Sequence, residues 1–157
     1  MKAFYRKLLR YLFGTDLHII GMYRLMHACY KKPVLGPTLA QAIRCFIRIY
    51  ASCDIAPSAV IGRNLRLPHP LCIVIGDKVQ IGDNVMIWQQ CTLGSHGRKE
   101  LECDYPVIED GVRIYTGATV IGGIRLGKGC RIGAHALVTH DVPAEKTAVG
   151  IPAKIID

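Results

Sequence analysis

The sequence predicts a parallel β-helix of six-residue rungs, preceded by a short α-helical segment. Three observations predict it. Aliphatic residues recur every six positions between Ile55 and Val138, glycine repeatedly follows the aliphatic, and a small or β-branched residue stands four positions after it. A fixed short period of this kind marks a solenoid, in which each repeat supplies one strand and one turn and stacks on the next.

The first third of the chain has a different period. Phe4, Leu8 and Leu12, then Ile20, Tyr23 and Met26, recur at threes and fours as on helix faces. Thr15 or Asp16 suits a helix cap. Pro33, Gly36 and Pro37 break the pattern, and a further helix is expected from Thr38 to Tyr50 with Leu39, Ile43, Phe46 and Ile47 on one side. Residues 1–50 carry nine Lys/Arg and one acid, whereas 51–157 carry eleven of each, so the net +8 belongs to the first third. Such a block suits an anionic surface, an acidic partner or a solvated helix face. Within it, Lys2, Arg6, Lys7 and Arg10 flank Phe4, Leu8 and Leu12. That makes residues 1–14 a basic amphipathic helix, fit for peripheral membrane contact or for packing on a neighbouring subunit.

From Asp54 the rungs follow in order. Aliphatics stand at Ile55, Ile61 and Leu67, then after a two-residue slip at Ile75, Ile81, Ile87 and Leu93. After a second break they stand at Ile108, Ile114, Val120, Leu126, Ile132 and Val138. Each should point inward, with the following glycine easing the corner. The second break, residues 95–107, fits no rung and is charged, which predicts an extruded loop of the kind that usually carries function. The expected organisation is thus a helical segment 1–52 and a β-helix 53–157. The seven cysteines form no CxxC pair, which argues for reduced thiols in a cytoplasmic protein rather than a disulfide scaffold or zinc site. No apolar run reaches a membrane span.

The stretches DIAPSAVIG (54–62), IVIGDKVQIGDNVMIWQQCTLG (73–94) and VTHDVPAEKTAVGIPAKII (138–156) resemble the hexapeptide-repeat acyltransferases, and among them the serine acetyltransferase branch. The resemblance implies a left-handed β-helix, assembly as a homotrimer or a dimer of trimers, and acetyl-CoA as donor without a metal. It places Asp54 and His69 at the family's spacing for a carboxylate and a catalytic histidine. A neutral imidazole is a suitable base for a hydroxyl attacking a thioester, and a carboxylate behind it fixes the tautomer. The plain alternatives are a surface histidine in a Pro-flanked turn and a turn cap. His96, in the expected loop, is a rival base. Gly94, Thr116, Gly133 and Ala134 are expected to leave room for pantetheine, and Lys154 to meet a CoA phosphate.

Three departures bear on the acceptor. Pro68 stands where the family has Asp, and Asp104 and Tyr105 stand where it has the Arg-His that grips serine. Asp104 and Tyr105, taken as substrate-binding, should repel a carboxylate. The expected acceptor is therefore a hydroxyl of a sugar or glycan intermediate, with L-serine O-acetylation second and a catalytically silent scaffold third. A lipid-borne glycan would give contact with the inner membrane face a purpose. Neither a nucleic-acid partner nor a complex with cysteine synthase is expected.

Overall fold

The computed structural model describes residues 15–97 and 104–157; the expected helix over 1–14 lies outside them. Two helices open the described chain, α1 (Thr15–Tyr30) and α2 (Gly36–Ala51), packed on each other. α1 buries Ile19, Tyr23 and Met26, spaced as one helix face. α2 buries Gly36, Ala40, Ile47 and Ala51, whereas the expected Leu39 and Phe46 are exposed. Ile47 is buried and Ile43 half-buried against the core as expected, and the rest of the stripe falls on small side chains because the helices approach closely. A Cβ on Gly36 would lie 2.2 Å from the Cys29 carbonyl oxygen. α2 also begins before Thr38, since Pro37 occupies the first turn, where its missing N–H is not needed. No helix of the described residues is long and apolar enough to cross a membrane.

From Asp54 the chain winds through three faces. The first holds β1 (Asp54–Ile55), β3 (Val74–Ile75), β6 (Thr92–Gly94), β9 (Thr119–Ile121) and β12 (Leu137–Val138). The second holds β2 (Val60–Ile61), β4 (Gln80–Ile81), β7 (Val107–Ile108) and β10 (Arg125–Leu126). The third holds β5 (Met86–Ile87), β8 (Arg113–Ile114), β11 (Arg131–Ile132), β13 (Thr147–Val149) and β14 (Lys154–Ile156). All neighbours are parallel except β14, which runs antiparallel on β13. All thirteen predicted aliphatics are buried and stack in register, for example Ile75 on Leu93 and Leu93 on Val120.

The glycines after the aliphatics have a different purpose from the one expected. Left-handed backbone falls three residues after the aliphatic, at Asn64, Lys78, Asn84, Gln90, Gly111, Gly117, Gly129 and His135. The glycine directly after it provides clearance: a Cβ on Gly82 would lie 2.5 Å from Asp110 Oδ1, and one on Gly127 2.5 Å from Ala144 N.

A solenoid leaves carbonyls unpaired at its first coil. α1 covers that end. Tyr23 Oη donates to the Ala59 carbonyl (2.7 Å), Arg24 Nη2 to the Gly62 carbonyl, and His27 Nδ1 to the Pro57 carbonyl (2.9 Å). The sequence therefore builds its cap from the helix that precedes the rungs.

Candidate active site

Each coil closes where the third face turns back into the first, and half of the candidate residues, Asp54, His69, Thr116, Gly133 and Ala134, lie at or beside this closing corner. Between Leu67 and Ile73 the corner carries the two-residue slip seen in the sequence, and it bulges. The bulge presents His69 to solvent beside a cavity of about 260 Å³ lined by Tyr50, Ala51, Pro68, His69, Pro70 and Leu71. α2 thus supplies one wall and the bulge the other. No hydrogen bond holds the His69 ring among the described residues.

Asp54 does lie one circuit from His69, as the spacing predicts. Asp54 N donates to the Ile73 carbonyl (2.8 Å), and the neighbouring Cys53 Sγ donates to the Pro70 carbonyl (3.2 Å). The carboxylate itself, however, turns to α2 rather than to the imidazole. Arg44 Nε donates to Oδ1 and Arg48 Nη2 to Oδ2, each at 2.6 Å. Partial burial pushes the Asp54 carboxyl up, but the bonds from Arg48 and Arg44 and their charges outweigh it and hold it below the usual carboxylate range. Arg44 and Arg48 had no signal in the repeat pattern; their spacing of four on a helix is all the sequence offers.

Thr116 and Ala134 follow on the same corner in the next coils. Thr116 Oγ1 donates to the Gln89 carbonyl (3.3 Å), and His135 N to the Thr116 carbonyl (2.9 Å). Gly133 adjoins them, its missing Cβ leaving 2.7 Å to Val149 Cγ1. Gly94 lies elsewhere, at the corner between first and second faces, where its carbonyl accepts from Gly122 N (2.9 Å). Lys154 is on β14 and lines a separate cavity of about 310 Å³ with His140 and Ala153.

The extruded loop leaves from the Gly94 corner. His96 lies over Gly122, where a Cβ would come 2.5 Å from its Nε2, and Tyr105 lies over Gly76, where a Cβ would come 3.2 Å from its Cε1. Asp104 is buried, and neither carboxylate oxygen has a hydrogen-bond partner among the described residues. Within one chain, then, His96, Asp104 and Tyr105 sit at a different corner from His69. Two buried thiols, Cys91 and Cys130, are pushed up to about 11, chiefly by desolvation, and offer no ready thiolate.

Rungs of six residues with a histidine on a bulged corner define a hexapeptide-repeat protein of the transferase class. Residues 105–140 match the family described as bacterial transferase hexapeptide (six repeats). The chain is 39% identical over 155 residues to the serine acetyltransferase of Bacillus subtilis, covering 99% of this chain and 69% of that one. A solved serine acetyltransferase of Neisseria gonorrhoeae in complex with serine superposes with a TM-score of 0.87 at 35% identity, over 95% of this chain and 60% of that one. A serine acetyltransferase solved in complex with CoA gives 0.83 at 34%, over 90% and 57%. The chain belongs to the serine acetyltransferase family, and its fold is the family's left-handed parallel β-helix. It spans about two thirds of the length of the curated relatives it matches.

These findings overturn the expected sugar or glycan acceptor, since the relatives that match most of the chain are serine acetyltransferases. The expectation rested on Asp104 repelling a carboxylate, and Asp104 is 4% exposed, with little of its side chain open to a bound acceptor.

Proposed function

We propose that this protein transfers acetyl from acetyl-CoA to the hydroxyl of L-serine, with His69 as general base. The observation that carries the reading is His69 itself, exposed on the bulged corner and lining a cavity walled by α2. Family membership supports serine as acceptor and acetyl-CoA as donor. In this reading the His69 imidazole takes the hydroxyl proton as the serine oxygen attacks the thioester carbonyl. The carbonyl–sulfur bond then breaks, and the proton ends on the departing thiol. Asp54, kept charged by Arg44 and Arg48, ties α2 to the start of the coil that His69 closes, and so holds the wall of the cavity in place. Transfer is direct, without an acetyl-enzyme.

Thr116, Gly133 and Ala134 form the proposed donor side, along the corner that carries His69. We further propose that the helical segment and the β-helix divide near residue 52, and that the molecule works as a three-fold ring. In a ring, the loop corner of one copy and the closing corner of the next can share a site. The test is thiol release from acetyl-CoA with L-serine, with O-acetylserine identified by mass. Absence of serine-dependent release, with intact folding, would sink the proposal.

A further inference from the structure

The third face carries a line of charge that the proposed chemistry does not use. Arg66 bridges to Met86, Met86 pairs with Arg113, and Arg113 pairs with Arg131, so the four stand on successive rungs. Each is the outward residue of its rung: the three arginines are exposed and Met86 is half-buried. Every other described arginine is hydrogen-bonded. Arg24 bonds Gly62, Arg44 and Arg48 bond Asp54, Arg63 bonds Asp83, and Arg125 bonds Glu109. Among the described residues, the side chains of Arg66, Arg113 and Arg131 have no such partner. Like charges directly opposite on neighbouring strands repel, so the Arg113–Arg131 pair is unfavourable until an anion meets it.

We infer that this ladder docks an acidic α-helix of a partner protein. Rungs repeat about every 4.8 Å, which sets the four side chains at roughly 0, 5, 10 and 14 Å along the prism. A helix rising about 1.5 Å per residue presents positions i, i+3, i+7 and i+10 at roughly 0, 4.5, 10.5 and 15 Å. Carboxylates at i, i+7 and i+10 would meet the guanidiniums, whose forked donors suit them, and an apolar residue at i+3 would meet Met86. Just past the ends of β5 and β8, where the closing corner begins, Trp88 and Tyr115 stack at 4.6 Å and give an apolar flank beside the charged line. Arginine, methionine and aromatics together are the composition of interface cores. On the other side the residues three positions earlier on the four rungs are Arg63, Asp83, Asp110 and Lys128, with Arg63 paired to Asp83. The two carboxylates flank Met86 and Arg113 in the middle of the line. A broad duplex or a bilayer would meet them there, whereas a helix lying on the line itself need not.

The full chain can be titrated with a labelled helical peptide carrying Glu, Leu, Glu and Glu at i, i+3, i+7 and i+10, and with a scrambled peptide of equal composition. The expected result is binding at least about tenfold tighter for the patterned peptide, lost by about tenfold or more in R113Q/R131Q. The melting temperature of that variant should be unchanged or raised, because a repulsive pair is removed. Equal binding of the scrambled peptide, or undiminished binding by R113Q/R131Q, would overturn the inference. So would tighter, arginine-dependent binding to duplex RNA or to anionic vesicles. A sedimentation coefficient altered by the double substitution would instead mark the face as a contact between copies, and would equally overturn it.

Discussion

In the proposed reading His69 serves the chemistry of the closing corner, and the bonds of Asp54 to Arg44 and Arg48 serve its stability. Replacing His69 with Ala should cut serine-dependent thiol release by about 10²–10⁴. Stability should move by no more than about 0.5 kcal/mol, because the ring is exposed and unbonded. A fully active His69→Ala alongside an inactive His96→Ala would move the base to the loop. Asp54 has a folded pKa held below its unfolded value, so its contribution to stability is complete above about pH 4 and is lost as pH falls through the lower folded value. Melting temperatures followed from pH 7 to pH 2 should fall at the acid end. Arg44→Gln should cost about 1–3 kcal/mol at pH 7 and flatten that fall. The nearness of Asp54 and His69 was legible in the sequence, because one circuit of the coil fixes it. The arginines on Asp54 were not, because no periodicity says how a preceding helix lies on the first coil.

At the level of the rung, position within the hexad decides what a substitution costs. Gly82→Ala should destabilise by more than about 1 kcal/mol, since the added methyl meets Asp110 on the next coil. Ile114→Ala, in the middle of the stack, should cost about 2–5 kcal/mol. Both are read by urea unfolding of the purified chain. Period six gave thirteen inward aliphatics, because a repeating core stamps its spacing on the chain, and it missed Leu65, Ile73 and Val142, which fall outside that register. It misassigned the glycines, because a corner and a close approach select the same residue type. In α2 Ile43 and Ile47 were read on the packed side, but Leu39 and Phe46 were included and Gly36, Ala40 and Ala51 missed, as large apolar residues drew attention from the small ones that let α1 come near. Along the closing corner, Ala134→Trp should abolish CoA binding in a calorimetric titration while leaving the melting temperature intact; unchanged affinity would take Ala134 out of the donor site.

The whole molecule raises the question of assembly. A three-fold ring predicts a sedimenting species of three times 17.3 kDa, and full activity in a 17.3 kDa monomer would exclude the shared site. Fold and family were legible in the sequence because repeats and motifs are local. The acceptor was misjudged because burial of Asp104 depends on a loop that no repeat describes. That loop also carries a lesson about change over time. Lateral partners lie 18 residues apart from Val74 to Thr92, and 27 apart from Thr92 to Thr119, across the extruded segment. Lengthening a closure by half adds only about 0.4 kcal/mol of chain entropy. The stacked aliphatics above and below keep their register regardless, as Leu93 on Val120 does. Nine extra residues are therefore nearly neutral to the fold, and a lineage can rewrite what stands over Gly76 and Gly122 by insertion and deletion without first acquiring stabilising mutations elsewhere.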